Sequence, residues 1–313
     1  MGPFGWPVAR VVLTNFGERA TQRAAYHPPM SSRHNPALEA VARETMNIVA
    51  AGGYTAPDGS RIDIGASAQA AIAGTRTFTP QELDQLLDGN APSRDTHPLI
   101  EVSLETTQEA AHRLFQDETR GDVAVLNFAS AVKAGGGFLR GARAQEEDIA
   151  RCSALYSCLQ TQTEFYAFHR MGSEIYSDRM IYSPRVPFFR VRSEELLDEA
   201  YEISVITAAA PNAGRLLAAD ASRGPEIETI FRRRTGKVLA LAEAKGHRTL
   251  VLGAWGCGVF ANDPVMAADA FGTWLEGARF RGSFDRVVFA VYDPHPQKPS
   301  HTPFAERLSP RAT

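Results

Sequence analysis

Between Gly135 and Glu147 lie the residue types best suited to chemistry: Gly135, Gly136 and Gly137 in succession, seven residues of spacer, then Gln145, Glu146 and Glu147. Glycine lacks a Cβ and accepts backbone angles closed to other residues, so a triplet lets main-chain N–H groups come close to a ligand. Such a loop suits a phosphate, and adjacent carboxylates behind it suit proton transfer. Core packing has no use for this pattern. A second glycine-bearing loop, Gly256-Cys257-Gly258-Val259-Phe260, follows another apolar run. Cys257 stands where a nucleophile could sit. With no nearby His to activate it, a small residue that allows tight loop packing is the simpler expectation.

Other signatures are missing. Neither loop reads GxxxxGK[ST], no GxGxxG follows the first strand, and the eight His form no HExxH, so nucleotide hydrolysis by a P-loop and metal hydrolysis lack support. No metal and no cofactor is expected. Cys152, Cys158 and Cys257 are odd in number without a CxxC, which points to a reducing, cytoplasmic setting rather than a disulfide framework. No apolar run is long enough for a membrane span. A net charge of −3 gives no field for a duplex nucleic-acid partner. The one basic run, Arg232-Arg233-Arg234, reads as a solvated helix face.

The two loops need elements to hold them. Val123 to Phe128 reads as a strand before the triplet, and Ile149, Cys152, Tyr156 and Leu159 recur at helical spacing after it. At ~100° per residue Glu147 falls ~160° from the middle of that stripe and Gln145 on it, so Glu147 is expected to face away from the core, in a first turn where the helix dipole favours negative charge. Asn35-Pro36 opens a helix that Gly52 stops, and capping boxes stand at Thr79-Glu82 and Thr106-Glu109. Strands are expected at 99–104, 203–210, 249–255 and 284–292, with a long helix from Glu226 to Lys245. Asn262-Asp263-Pro264 caps another helix. Strands alternating with helices imply an α/β fold with a largely parallel sheet, whose ligands bind beyond the carboxyl ends of the strands. Residues 1–34 and the proline-rich tail, 294–313, read as irregular chain.

The spacing GGG, seven residues, QEE resembles the bacterial-type poly(ADP-ribose) glycohydrolases, relatives of the macrodomain. Leu126 to Ser130, Tyr182 to Pro187, Thr207 to Asn212 and Gly253 to Pro264 are similar to family segments as well. The resemblance implies a macrodomain core over 97–293, a mixed, largely parallel sheet between helices, with an N-terminal helical extension, 1–96, packed against it. It implies ADP-ribose as ligand, with its pyrophosphate between the two glycine loops. By the same resemblance Glu147 is the catalytic acid, Glu146 orients the ribose hydroxyls and Gln145 helps fix the loop. Phe260 packs near the terminal ribose, and Asn127, Gly135, Gly136, Gly137, Gly256, Cys257, Gly258 and Val259 line the ligand.

Three functions fit: a hydrolase of poly(ADP-ribose) releasing ADP-ribose, a hydrolase of another ADP-ribosyl linkage on protein or nucleic acid, and a non-catalytic ADP-ribose reader. Glu146 and Glu147 argue against the reader, since an anionic ligand gains nothing from carboxylates beside it. ADP-ribosylated proteins are the implied macromolecular partners.

Overall fold

The computed structural model describes residues 35–89, 94–117, 123–193 and 195–309. The irregular chain expected over 1–34 lies outside them. Asn35 caps α1 (Pro36–Ala51) by accepting from the N–H groups of Ala37 and Leu38, and Gly52 at φ 66° ends it. Cap, proline and glycine each satisfy or remove a helix-end group that would otherwise lack a partner, which is why this helix was readable. A hairpin of β1 (Gly53–Thr55) and β2 (Arg61–Asp63) follows, then α2 (Gly65–Gly74), β3 (Arg76–Phe78) and α3 (Pro80–Leu87). Both capping boxes form, Thr79 with Glu82 on α3 and Thr106 with Glu109 on α4 (Thr107–Gln116).

Five strands run parallel: β4 (Leu99–Ser103), β5 (Val123–Phe128), β7 (Leu196–Ala208), β8 (Thr249–Leu252) and β9 (Arg286–Ala290). With β3 and β6 (Met180–Arg190) they make a seven-stranded sheet in the order β3-β6-β7-β5-β8-β9-β4, in which β6 runs antiparallel to both β3 and β7. The two-residue period of a strand sends alternate side chains to opposite faces. Val123, Val125, Val205, Val251 and Val288 therefore pack with α2, α4 and the helices after the glycine triplet. Leu126, Ile206, Leu250 and Phe289 pack on the other side with α9 (Gly224–Ala244) and α10 (Pro264–Glu276). A sheet covered on both faces explains strands that read as continuous apolar runs. No helix among the described residues is long and apolar enough to cross a membrane.

Three expectations change. The segment before residue 96 is not purely helical, because β3 pairs with β6 and so belongs to the main sheet. Strand β6 was not legible: Pro184 and Pro187 interrupt it, and the register shifts between Ser183 and Val186 where Arg185 takes φ 46°. The tail is not irregular either, since α11 (His301–Leu308) docks on α10 and β4. Phe304, fully buried, meets Phe289 at 5.6 Å between ring centroids, and Arg307 pairs with Asp269 and Glu276. The proline-rich run ahead of α11 hid a short amphipathic helix whose apolar pair, Phe304 and Leu308, is four residues apart.

Phe304→Ala is expected to destabilise the fold by about 3 kcal/mol, the cost of emptying an aromatic site that cannot collapse. Chemical denaturation would show this, and a change under about 0.5 kcal/mol, the range of an ordinary surface substitution, would mean that α11 is not part of the core.

Candidate active site

Gln145 is the first residue of α5 (Gln145–Cys152), and its side chain reaches back to the end of β5. Its Nε2 donates to the Leu126 carbonyl at 2.7 Å and to Thr107 Oγ1 at 3.0 Å, while its Oε1 accepts from the Phe128 N–H at 2.8 Å. The amide thus continues the hydrogen bonding of the strand and fixes where the helix begins. Glu146 is 3% exposed; its Oε2 accepts from the Ser130 N–H at 2.8 Å and its Oε1 faces Asn127 Nδ2 at 3.4 Å. Asn127 is fully buried and also donates to Thr207 Oγ1 at 3.1 Å, leaving its own Oδ1 without a partner.

Glu147, expected to face away from the core, is nevertheless only 8% exposed. Its face of α5 does point away from the sheet, but the glycine triplet folds over it. Glu147 Oε1 accepts from the Gly137 N–H at 2.8 Å. Gly135 and Gly136 take φ 61° and 54°, and a Cβ on Gly136 would stand 2.3 Å from Glu147 Oε1 and 3.1 Å from Glu146 Oε2. One on Gly135 would enter the Tyr156 ring at 2.7 Å. Only glycine fits this roof. The Gly136 N–H donates to the Lys133 carbonyl and the Gly135 N–H faces the Glu146 carboxyl, so the triplet amides are directed inside the protein. The triplet closes on the two carboxyl groups.

The apolar stripe after the acids is split between two helices. Ser153 ends α5 in extended geometry, bonds back to the Ile149 carbonyl and accepts from the Leu155 N–H at the start of α6 (Leu155–Gln160). Ile149, Cys152, Tyr156 and Leu159 are all buried. Arg151 anchors the same helix from beneath: its guanidinium donates to the Ala142 carbonyl at 2.8 Å, to Ser193 Oγ and to Asp148. Thr45 of α1 bonds to the Arg151 carbonyl, and Arg190 ties Thr45 to Glu44. Gly141, at φ 68°, lets the loop pass so close to α1 that a Cβ would lie 2.2 Å from the Asn35 carbonyl oxygen.

Burial pushes the Glu146 carboxyl up to about 8, and the adjacent Glu147 adds to the effect, against the Ser130 and Gly135 N–H groups and Asn127. Glu146 accordingly retains its proton at neutral pH.

The second loop is built differently. Gly256 takes φ 72°, and a Cβ there would meet Ala210 Cβ at 2.5 Å and Asn262 Nδ2 at 2.6 Å. Asn262 Nδ2 donates to the Pro211 and Gly256 carbonyls, and Trp255 Nε1 to Ala208, which pins the loop beyond β7. Gly258 and Val259 are exposed, a Cβ on Gly258 would enter open space, and the N–H groups of Gly258, Val259 and Phe260 have no partner among the described residues. Successive free amides of this kind form an anion-binding concavity. Burial, with Asp263, pushes the Cys257 thiol well above its usual range, which agrees with a packing role.

Phe260 packs against Tyr176 at 5.8 Å between centroids, and Tyr176 itself is held at φ 55°. Its hydroxyl donates to Glu174, which also takes Asn212 Nδ2 and Arg215. Arg234 of α9 is 1% exposed and donates to the carbonyls of Ile175 and Ala209 and to Asp178, which Lys237 and Arg233 also reach. The basic run is therefore only in part a solvated face, with Arg233 exposed and Arg234 buried. One of its arginines is a core strut, and Arg232 pairs with Glu228 and Asp269. Burial lowers His169 to about 4, so its Nδ1–H donates to the Phe165 carbonyl and its Nε2 accepts from Ser177.

A family model, the microbial-type PARG catalytic domain, matches residues 42–191. The poly(ADP-ribose) glycohydrolase (PARG) of Thermomonospora curvata is 48% identical at a TM-score of 0.83, covering 88% of this chain and 100% of that one. The chain belongs to the bacterial PARG family. The T. curvata PARG bound to the inhibitor ADP-HPD is 47% identical, with TM-score 0.81, over 87% of this chain and all of that one. PARG from Deinococcus radiodurans in complex with ADP-ribose is 42% identical, with TM-score 0.70, covering 77% and 96% of the two chains. Comparison with curated proteins returns no match.

In this bacterial PARG the sequence-expected residues Asn127, Gln145, Glu146, Glu147 and the triplet come together at the end of β5, and Gly256 to Phe260 form their own loop beyond β8. Sequence reading missed Ser130, Thr207, Glu174 and Tyr176. Their contacts come from segments far apart in the chain, and none carries a spacing motif.

Linkage gives the acids a stability signature. Glu146 has a folded pKa above its unfolded value, so the folded state binds the extra proton between about pH 4.5 and 8, and stability falls as pH rises through that window. Glu146→Gln is expected to raise the melting temperature at pH 8 and to lose that gain towards pH 5. A destabilised variant at pH 8 with no gain from removing the charge would show that Glu146 is ionised in the fold.

Proposed function

We propose that this protein hydrolyses the ribose–ribose O-glycosidic bonds of poly(ADP-ribose) and releases ADP-ribose, with Glu147 as acid and base. The observation that carries the reading is the inequality of the two carboxylates. Glu146 has one oxygen on the Ser130 N–H and the other against Asn127, so it is locked and positioned. Glu147 has Oε1 on the Gly137 N–H, and its Oε2 has no partner among the described residues and is not sealed from solvent. It is the oxygen available to meet a substrate.

Cleavage passes through an oxocarbenium-like transition state. Acting as the acid, Glu147 Oε2 gives a proton to the leaving ribose oxygen as the C1–O bond breaks, and the resulting carboxylate takes a proton from the water that attacks C1. Neighbouring residues on a helix point ~100° apart, so the pair does not straddle the bond, and Glu146 serves instead to fix the ribose hydroxyls. The step draws on a carboxyl alone and needs no metal. The free amides of Gly258, Val259 and Phe260 suit the pyrophosphate, and the Phe260 and Tyr176 rings suit a wall beside the sugar. The solved relatives in complex with ADP-ribose and ADP-HPD support this ligand class. We place the reaction in the cytoplasm, the reducing setting that an odd cysteine count without a CxxC favours.

Glu147→Gln is expected to cut polymer turnover by about a thousandfold or more while ADP-ribose still binds, because the amide keeps the shape and cannot deliver a proton. Turnover within tenfold of the parent would remove Glu147 from the role. Gly258→Val, whose Cβ enters open space, should fold normally and weaken ADP-ribose at least tenfold, roughly 1.4 kcal/mol. Calorimetry showing unchanged binding would place the pyrophosphate elsewhere.

A further inference from the structure

Charge on this protein is unevenly compensated. Most arginines elsewhere stand on carboxylates, among them Arg113 on Glu101 and Glu105, Arg248 on Asp285, Arg279 on Glu243 and Arg307 on Glu276. Lys133, Arg140, Arg143, Arg170 and Arg179 have no acidic partner within 4.0 Å among the described residues. These five cluster in the stretch that carries the glycine triplet, the two glutamates and the helix α7 (Thr163–Arg170), whereas Arg61, Lys245 and Lys298, which also lack an acidic partner among the described residues, are scattered along the chain and rest on carbonyls or rings.

Three of these cations share a strip with exposed apolar side chains. Arg170 donates to the Val132 carbonyl at 3.2 Å, which joins the end of α7 to the residue before Lys133 and so to the loop that leads into the triplet. The Arg179 guanidinium stacks 3.5 Å from the centre of the Phe168 ring. Phe168 is 48% exposed, Met171 90% and Val132 38%. A bland account covers one member only: a cation in the last turn of α7 complements the helix dipole, which explains Arg170 but neither Lys133 nor Arg179. The acid on α7, Glu164, lies in its first turn, at the far end from Arg170.

Aromatic and apolar side chains interleaved with uncompensated cations are what single-stranded nucleic acids require, a stacking surface for bases and positive charge for phosphates. Poly(ADP-ribose) offers the same chemistry, an adenine and a pyrophosphate in every unit. The substrate is also a polyanion approaching two carboxylates, so rim cations are needed to offset that repulsion. We infer that the strip formed by Lys133, Phe168, Arg170, Met171 and Arg179 carries the units of the polymer beyond the one being cleaved, cations on pyrophosphate and apolar side chains on adenine. This rests on the hydrolase reading above and adds to it a site that free ADP-ribose does not occupy.

The test compares a size-fractionated poly(ADP-ribose) oligomer with ADP-ribose, by direct binding to the full chain carrying Glu147→Gln. Adding Arg170→Gln and Arg179→Gln together should weaken the oligomer about tenfold and leave ADP-ribose within about twofold. The slope of log affinity against log salt should fall by about 1.4, at ~0.7 per lost phosphate contact. Arg170→Lys with Arg179→Lys should recover most of the oligomer affinity, and Phe168→Ala should weaken it without changing the salt slope. Arg61→Gln with Arg185→Gln, an equal change in net charge elsewhere on the surface, should leave both ligands unaffected. Unchanged oligomer binding in the Arg170 and Arg179 variant overturns the inference. So does equal loss of ADP-ribose, which would put the cations at the terminal unit, or an equal effect from the control pair. Binding is read without turnover, so a parent protein that fails to cleave polymer would sink the hydrolase reading while these outcomes still decide the strip.

Discussion

Two adjacent carboxyl groups are buried at the start of one helix, and much of the surrounding structure follows from keeping them there. An unpaired carboxylate out of water is costly, so each oxygen held inside has to find a donor or keep a proton. Ser130, Asn127 and Gly137 supply the donors. The triplet can then be only glycine: Gly136 passes within contact distance of both acids, Gly135 lies against the Tyr156 ring, both at positive φ, and Gly137 lies against Ala142. Gln145 is bound by the same constraint from the other side, because its amide decides where the helix leaves the strand.

The second loop answers to a different demand and is held by a different interaction. The Asp178, Arg234 and Lys237 cluster is almost entirely buried and spends its hydrogen bonds on the carbonyls of the segment carrying Tyr176. A buried ionic cluster adds little net stability against an apolar equivalent, but removing one partner is costly. Its value here is geometric: it keeps a strained tyrosine against Phe260, where the free amides of the loop end.

Where local chemistry decides, the sequence was a good guide. Asn35, Thr79 and Thr106 each cap the helix they announce, and the parallel strands are the apolar runs that lie between helices. It misled where tertiary contacts override a local sign. Prolines at 184 and 187 concealed β6, which its partner β7 holds in place despite the bulge. The proline-rich approach concealed α11, and three adjacent arginines suggested a wet surface although the third is a core residue. Glu147 is the instructive case. Helical periodicity placed it correctly on the side away from the sheet, but periodicity knows only one neighbour, and the lid that closes over that side comes from the preceding loop. The same blindness hid the contacts of Gly136 and Gly137 with the two acids.

Gly141 and Arg151 bear on what counts as the smallest working unit of this protein. The loop that covers the acids lies against the first turn of α1, and the helix that presents them is tied through Thr45 and Arg190 to the same element. Those anchors sit about a hundred residues upstream of what they hold, in a segment a sequence reader would trim as an extension. Modularity therefore ends at α1: cut to its sheet and flanking helices, the chain would keep its glutamates and lose the frame that aims them.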